Sequence, residues 1–320
     1  MPVLNDHARQ FLAANGWNDA ACELITGDAS TRIYFRLRRD RQTAVLMDAS
    51  QLQATVRPFI SIDKQLQNLG FSAPEIFARD EKNGLLLLED FGDTTFARLL
   101  DDGSDLEKFL TLATDVLIAL HKHPQAVPEN LQVYSVELML ADLELFLEWG
   151  VPEISGSGKT EFRKVWRETL PAAHQTPPSL LLRDYHVANL MWLPARDGIR
   201  QAGLLDFQDA YCGPIAYDLV SLLEDARRDV PEASRQQLFA RYLAQFPNLD
   251  REKFEISAAI LAALRHTRIL AIFERLSKRD GKPKYKQLHR ARVERLLQKA
   301  LQHPALDKVK RWFDQYDRQN

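Results

Sequence analysis

The chain has 320 residues, with 42 lysines and arginines against 44 aspartates and glutamates, so its formal net charge is −2. A charge this small excludes broad attraction to nucleic acid or to an anionic membrane. Cys22 and Cys212 are the only cysteines, which excludes a disulfide framework or a thiolate zinc site. The first residues lack the basic and apolar regions of a secretory signal. We therefore expect a cytoplasmic protein with neither a nucleic-acid partner nor a membrane partner.

The beginning of the chain predicts a small antiparallel sheet with helices beside it. An amphipathic pattern over Asp6–Ala14 predicts a first helix, and a second is expected from about Thr55 to Leu69. Alternating and β-branched runs predict five strands, near Glu23–Ile25, Arg32–Leu37, Thr43–Met47, Glu75–Ala78 and Leu85–Glu89. Turn residues at 27–30 and 39–41 join the first three strands into a meander. Residues 1–90 are therefore expected to form an N-lobe.

Helical periodicity dominates the rest of the chain, which predicts a larger C-lobe over residues 91–320. Ser104 and Glu107 form a capping box ahead of a helix that reaches about His121. Long helices are also expected from about Ile256 to Lys278 and from about Tyr285 to Leu301. Three short apolar runs predict strands at Leu180–Leu182, Leu190–Leu193 and Ala202–Leu205. The predicted fold class is α+β.

The apolar runs bracket a set of three polar residues. Asp184 is followed five positions later by Asn189, and Asp206 comes seventeen positions beyond the amide. Phosphoryl transfer needs a carboxylate near the attacking hydroxyl and oxygen ligands for the cation on the polyphosphate. An isolated Asp and Asn at this spacing is usually an ordinary turn. The strands around the set favour a kinase site instead, with all three groups converging.

Five segments carry a resemblance to a known family: Leu87–Asp93, Leu181–Leu190, Asp206–Ala210, Ala216–Leu223 and Arg275–Lys282. On these residues the chain resembles the aminoglycoside phosphotransferase and choline kinase superfamily, from about Gly27 to Lys282. Within it, the chain is most similar to the bacterial N-acetylmuramate and N-acetylglucosamine kinases. The resemblance implies a bilobal protein-kinase-like fold, with a small antiparallel-sheet N-lobe and a larger helical C-lobe. It also implies that ATP and Mg²⁺ are used to phosphorylate the anomeric hydroxyl of an amino sugar in peptidoglycan recycling.

The resemblance also implies roles for individual residues. Asp184 would be the catalytic base, and Asn189 and Asp206 would be the magnesium ligands. Asp218 would anchor the catalytic loop. The hinge from Glu89 to Phe91 would meet adenine through its backbone. The turn over the phosphates would donate backbone N–H and hydroxyl groups, and it consists of Ala29, Ser30 and Thr31.

The strand that should carry the phosphate-binding lysine of kinases has none. Met47 or Asp48 stands in its place, and a carboxylate there would repel phosphate. Either Arg32 or Arg36 substitutes for the lysine, or magnesium and backbone groups hold the nucleotide. The missing lysine leaves open a catalytically silent nucleotide-binding regulatory protein. Leu182 and Gln208 are lesser departures from the family pattern.

Six residues are candidates for contact with the acceptor substrate: His186, Gln208, Asp209, Arg227, Arg275 and Arg279. A solvated helix face is the simpler explanation for the late arginines. The functional explanation is that one of them makes a bidentate contact with the carboxylate of N-acetylmuramate. A polycationic aminoglycoside would need acidic residues instead. A kinase for an aminoglycoside or another small hydroxyl compound is the alternative within the same class.

The segment from Ser155 to Thr160 ends like a Walker A loop but is not expected to bind phosphate. Glu153 stands where that motif has its first glycine, and no strand precedes it. We expect a flexible surface connection here, followed by a helix that begins near Thr160.

Overall fold

A computed structural model gives the structure of residues 4–25 and 32–317. Contacts divide the chain into two compact units. The first unit comprises Met1–Val116 and Val187–Ala210, and the second comprises Leu117–His186 and Tyr211–Asn320. The units are defined by contacts alone, so they do not test the lobe boundary expected near residue 90. That boundary stays a prediction. Ala29, Ser30 and Thr31, which are predicted to cover the phosphates, lie outside the described residues.

The first unit contains a five-stranded sheet in which every neighbouring pair is antiparallel. Its strands are β1 (Ala21–Ile25), β2 (Ile33–Arg39), β3 (Gln42–Asp48), β4 (Ile76–Asp80) and β5 (Leu85–Leu88). Their order across the sheet is β1-β2-β3-β5-β4. The predicted small antiparallel sheet is confirmed, and its inner strands supply buried apolar residues to the core, among them Leu37, Leu46 and Leu87.

Helix α1 (Asp6–Ala14) packs on this sheet, and α2 (Val56–Asn68) follows the third strand. The side chain of Asn5 caps α1 by accepting a hydrogen bond from the N–H of Ala8 at 2.8 Å. Phe11 on α1 belongs to the same buried cluster as Leu37 on β2. Burial of this apolar helix face stabilises the unit.

A later segment of the chain completes the first unit. Strands β7 (Leu190–Trp192) and β8 (Ala202–Leu204) form an antiparallel hairpin. The N–H of Leu204 donates to the carbonyl of Ser72 at 2.7 Å, and the N–H of Trp192 donates to the carbonyl of Thr94 at 2.8 Å. The first bond ties the hairpin to the segment between α2 and β4, and the second ties it to the chain just before helix α3 (Phe96–Asp101).

The second unit is mainly helical. Helix α4 (Leu106–Lys122) crosses the division between the units. It is followed by α5 (Val136–Leu145), α6 (Gly156–Thr169), α7 (Ala216–Leu223), α8 (Glu232–Ala244), α9 (Arg251–Lys278), α10 (Lys284–Ala300) and α11 (Asp307–Asp317). A short antiparallel pair joins β6 (Pro178–Leu181) to β9 (Tyr211–Pro214). The sequence did not predict β9, because a glycine and a proline occupy two of its four positions.

Three predicted helix starts are wrong, those of α6, α4 and α9. Helix α6 begins at Gly156, because the side chain of Ser155 caps it by accepting from the N–H of Gly158 at 3.1 Å. The expected flexible connection is therefore the first turn of a helix. Helix α4 is capped by Asp105 rather than Ser104, since Asp105 Oδ1 accepts the N–H of Glu107 at 2.9 Å.

Helix α9 is long enough and apolar enough to cross a membrane, judged by length and composition over the described residues. However, 78% of its most apolar window is buried inside the protein, which is the pattern of a core helix. Asp250 caps it by accepting the N–H of Lys253 at 3.1 Å, so α9 begins five residues before the predicted Ile256.

Candidate active site

The loop that carries Asp184 is anchored within the second unit by a buried carboxylate. Asp218 on α7 is 1% exposed and accepts the backbone N–H groups of Leu182 at 2.6 Å and Arg183 at 2.8 Å. Burial raises the pKa of Asp218 to about 7, although the two backbone donors oppose the shift. These contacts agree with the anchoring role that the resemblance implied for Asp218.

Arg183 fixes the other side of the same turn. Its φ is 71°, a left-handed conformation that is uncommon for a residue other than glycine. Its buried guanidinium forms an ion pair with Asp142 on α5 and lies 5.3 Å from the ring centres of both Tyr134 and Tyr211. The half-buried Asp184 follows immediately, and its N–H donates to the carbonyl of Leu182 at 2.9 Å.

Asn189 and Asp206 lie together in the first unit. Asn189 precedes β7 and Asp206 follows β8, so the hairpin brings both to the same end. The N–H of Leu205 donates to the carbonyl of Asn189 at 3.0 Å, and Asn189 Nδ2 is 3.5 Å from Asp206 Oδ2. Asp206 has a φ of 59°, so its backbone turns sharply. The structure thus brings these two predicted ligands into contact.

Gln208 acts on one of these two residues. Its Nε2 donates to Asp206 Oδ1 at 2.9 Å and lies 3.4 Å from Asp209 Oδ2. Gln208 is buried, whereas Asp209 is exposed. The sequence suggested both as acceptor contacts, but in the structure Gln208 orients the Asp206 carboxylate.

The pair fits a magnesium ion better than a transition metal. Mg²⁺ is usually held by one or two carboxylates, while water and substrate phosphates fill its other positions. The side chain of Asp206 is 43% exposed, and an amide oxygen from Asn189 can supply a second ligand. Within the described ranges no group of three or more His, Cys, Asp or Glu side chains could hold a metal ion, so a cage built only from such side chains is not indicated there.

Of the two arginines proposed to replace the missing lysine, only Arg32 contacts a candidate metal ligand. Arg32 Nη1 is 3.7 Å from Asp206 Oδ1, and its side chain is only 7% exposed. It also hydrogen-bonds to the side chain of Tyr34. Arg36 binds Asp90 at 2.8 Å and Asp93 at 2.7 Å, so its charge is neutralised.

Met47 and Asp48 stand where kinases have the phosphate-binding lysine. Met47 is fully buried in the core. The buried Asp48 accepts from Asn5 Nδ2 at 3.0 Å and from the N–H of Ser50 at 2.9 Å. These two donors are neutral, so they satisfy the hydrogen bonding of the carboxylate without cancelling its charge.

The predicted hinge is braced by arginines that the sequence did not assign to it. Glu89 forms an ion pair with Arg196 at 2.5 Å, and the guanidinium of Arg196 lies 5.1 Å from the ring centre of Phe91. Arg36 Nη2 also donates to the carbonyl of Gly92 at 2.9 Å. These contacts hold the backbone from Glu89 to Phe91 in a defined path, as a nucleotide-binding hinge requires.

The remaining acceptor candidates separate into two groups in the second unit. His186 Nε2 lies 3.3 Å from Arg227 Nη1, so this pair is directly linked. Burial and the nearby Arg227 charge lower the pKa of His186 to about 4, and the imidazole is neutral near pH 7. Arg279 is exposed and binds Asp280 at 2.6 Å, while burial and the charge of Arg279 lower the pKa of Arg275.

Asp142 is a residue that sequence reasoning missed. It accepts a hydrogen bond from Tyr134 Oη at 2.6 Å, pairs with Arg183 and lies 3.6 Å from Arg268. It lies on α5, forty-two positions before Asp184, and nothing in the neighbouring sequence marks it. The one sequence feature that pointed to such a residue is Arg183, because a buried arginine needs a carboxylate partner.

Known proteins are similar to this chain along most of its length. An N-acetylmuramate/N-acetylglucosamine kinase of Caulobacter vibrioides is 35% identical over 96% of this chain and 94% of its own length. A protein of the same name from Pseudomonas aeruginosa is 33% identical over 86% of this chain and 83% of its own.

Solved structures with little sequence identity share the fold. A choline/ethanolamine kinase family protein of Mesorhizobium loti has a TM-score of 0.65 at 16% identity, covering 95% of this chain and 96% of that one. A choline kinase of Streptococcus pneumoniae has a TM-score of 0.67 at 13% identity, covering 91% and 97%. The predicted α+β protein-kinase-like fold is confirmed.

The profile of the phosphotransferase enzyme family matches residues 21–255, which include both hairpin residues and the loop of Asp184. Because that match covers more than half of the chain, and the relatives above align over most of it, this chain belongs to the phosphotransferase enzyme family, alongside the N-acetylmuramate/N-acetylglucosamine kinases.

Proposed function

We propose that this enzyme transfers the γ-phosphate of ATP, with Mg²⁺, to the anomeric hydroxyl of N-acetylmuramate and N-acetylglucosamine in the cytoplasm. Such a reaction would return cell-wall sugars to metabolism during peptidoglycan recycling. The observation that carries the chemistry is the contact between Asn189 and Asp206, 3.5 Å apart on one hairpin. The sugar assignment is supported by the relative that is 35% identical over 96% of the chain.

Asp184 is the proposed base. Its carboxylate orients the anomeric hydroxyl and takes the proton as the oxygen bonds to the γ-phosphorus and the bond to ADP breaks. Asp218 and Arg183 fix the turn on which Asp184 stands, so little motion is needed to position it. Asp184 thus transfers the proton, while Asp218 and Arg183 position Asp184.

Asn189 and Asp206 are the proposed ligands of magnesium. A magnesium ion held by these two side chains would reduce the negative charge of the ATP phosphates. Gln208 holds one oxygen of Asp206 at 2.9 Å, which leaves the other oxygen towards Asn189. The residues therefore offer a pre-oriented pair of oxygen ligands.

Arg32 is the proposed replacement for the absent lysine. It is the arginine that lies 3.7 Å from Asp206 while Arg36 is bound by two carboxylates. An arginine can grip phosphate oxygens with several N–H donors. Glu89 and Phe91 would present the hinge backbone to adenine, and Ala29, Ser30 and Thr31 would cover the phosphates.

The proposal is tested by ADP release from the wild-type enzyme with a panel of acceptors. The panel contains N-acetylmuramate, N-acetylglucosamine, choline and an aminoglycoside, each with ATP and magnesium. Phosphorus NMR of the product then identifies the hydroxyl that carries phosphate. We expect anomeric phosphates of the two amino sugars. A phosphate on another hydroxyl, or turnover only with choline or the aminoglycoside, would contradict the proposal.

A further inference from the structure

Most arginines of the second unit have a carboxylate partner, and Arg227 differs from them. The paired arginines include Arg183 and Arg268 with Asp142, Arg235 with Glu224, Arg279 with Asp280, and Arg292 with Asp229. Among residues 4–25 and 32–317, no carboxylate lies within ion-pair distance of Arg227. An exposed arginine close to a catalytic loop, with its charge not neutralised, is available to an anionic ligand.

Arg227 is nevertheless held in place. Asp225, which is 1% exposed, accepts the backbone N–H of Arg227 at 2.8 Å. The guanidinium carbon lies 6.0 Å from the ring centre of Tyr285, and Nη1 is 3.3 Å from His186 Nε2. The neutral imidazole accepts one N–H of the guanidinium, which has five donors in total. The remaining donors are free to form a two-point contact with a carboxylate.

His186 supplies an independent sign of a ligand. It is 6% exposed, and its Nδ1 has no hydrogen-bond partner within the part of the chain that the structure describes. Because Nε2 faces a guanidinium donor, Nδ1 must carry the ring proton in the neutral tautomer. A buried donor without an acceptor is costly, so the pair is suited to a ligand that brings oxygen atoms.

This pair is close to the proposed base. His186 follows Asp184 by two positions, so their Cα atoms are at most about 7 Å apart. The charge of Asp184 also acts on His186. The other arginine candidates are less suited, because Arg279 is bound by Asp280 and no direct contact joins Arg275 to the loop among the described residues.

We propose that Arg227 binds the carboxylate of N-acetylmuramate and thereby determines the preference for this acid over neutral N-acetylglucosamine. This inference rests on the proposed function. N-acetylmuramate carries its carboxylate on an ether substituent of the same ring that bears the anomeric hydroxyl. An arginine near the base can therefore reach the acid group while the hydroxyl faces Asp184. N-acetylglucosamine has no such group and gains nothing from the cation.

The test compares Arg227→Gln and Arg227→Lys with the wild type. The control is Arg311→Gln, which removes the same charge from an exposed position on α11. For each protein, kcat and KM are measured with both sugars and with ATP, and Tm is recorded. We expect Arg227→Gln to lower kcat/KM for N-acetylmuramate about 10- to 100-fold, with less than about a threefold change for N-acetylglucosamine. Arg227→Lys should recover part of the loss.

Three results would overturn the role of Arg227. These are equal losses with both sugars, a change confined to the KM for ATP, and no change with either sugar. The first would indicate a general structural role, and the second a contact with the nucleotide phosphates. A wild-type enzyme that phosphorylates neither sugar would overturn the proposed function itself, and the carboxylate site with it. The wild-type assay therefore tests the proposed function, and the Arg227 variants test the role of the arginine separately.

Discussion

At the scale of single residues, two backbone conformations in the candidate site carry a cost. Arg183 and Asp206 have φ values of 71° and 59°, and such a conformation costs on the order of 1–3 kcal/mol for a residue other than glycine. Each is held by contacts that fix it: the side chain of Asp218 for the first and Gln208 for the second. The fold therefore pre-forms both turns before a substrate binds.

Asp184 gives the most direct prediction. We expect Asp184→Asn to lower kcat about 100- to 10,000-fold, because an amide of the same shape cannot take a proton. The KM for ATP and the Tm should change little, since the loop is anchored by Asp218 and Arg183. Steady-state kinetics with saturating sugar would measure the effect. Near-normal kcat in this variant would rule out the assigned role.

A second prediction concerns Arg32. The change Arg32→Gln should raise the KM for ATP about 10-fold or more, because it removes a cation 3.7 Å from Asp206. The KM for the sugar should change less than about threefold. Arg9→Gln is the matched control, since Arg9 is exposed on α1. An effect on the sugar alone would show that Arg32 does not serve the nucleotide.

The sequence identified the residues with a chemical signature but not their supports. Asp184, Asn189 and Asp206 follow from their spacing between apolar runs. The partners of Arg36 could not be foreseen, because Asp90 lies 54 positions away and only the folded hinge brings it near. The same holds for Asp142, which is 41 positions from Arg183.

At the scale of elements, α2 packs against the hairpin of Asp206 and carries an acid that feels the charge of Glu89 in the predicted hinge. Phe59 on this helix packs against Phe207, the residue after Asp206, with ring centres 4.9 Å apart. One turn further along, the fully buried Asp63 accepts from Gln67 Nε2 at 2.7 Å. Burial raises the pKa of Asp63 from an ordinary 3.8 to about 7, and the charge of Glu89 adds to the shift.

Stability should therefore depend on pH through Asp63. Because its folded pKa is raised, the stabilisation by the neutral acid is complete below about pH 4 and is lost as pH rises through about 7. Asp63→Asn stays neutral. We expect it to gain about 1–3 kcal/mol of unfolding free energy relative to the wild type between pH 5.5 and pH 8.

Urea unfolding at the two pH values would measure this difference. Asp19→Asn, at an exposed position, should show no such gain and serves as the control. The opposing charge near Asp63 is Lys64, which lowers its pKa. A variant that loses stability equally at both pH values would indicate that Asp63 is needed for its hydrogen bond, and that its charge is unimportant.

Long strands were predicted well, and elements with short or special starts were not. Strands β2 and β3 were both expected, and they pair with each other over seven positions. Strand β9 has four residues and was missed. Helix α6 was placed late because glycines occupy its first and third positions, and only the cap by Ser155 reveals its start.

At the scale of the whole molecule, the chain returns to its first unit after residues 117–186 have formed the first part of the second unit. By their contacts residues 187–210 belong with the first unit, a criterion that does not test the predicted lobe boundary near residue 90. Backbone hydrogen bonds from Leu204 to Ser72 and from Trp192 to Thr94 make this assignment. Backbone hydrogen bonds between residues more than ninety positions apart cannot be predicted from the pattern of side chains.

Binding of ATP with magnesium should stabilise the whole protein. A ligand at about 100 times its Kd adds about 2.7 kcal/mol, which corresponds to a Tm increase of several degrees. We expect Asp206→Asn, or a chelator added to the wild type, to remove the magnesium-dependent part of this increase. Differential scanning fluorimetry measures it, with the exposed Asp197→Asn as control. An equal increase in Asp206→Asn would exclude Asp206 as a metal ligand.

The packing of Phe91 against Gly203 limits how this sequence can change over evolution. A Cβ at residue 203 would lie 2.8 Å from Phe91 Cδ2, closer than two such atoms can approach. The guanidinium of Arg196, 5.1 Å from the ring centre of Phe91, restricts movement of that ring. Homologues with a larger residue at position 203 should therefore carry a smaller one at position 91. The two positions, 112 apart along the chain, should vary as a pair.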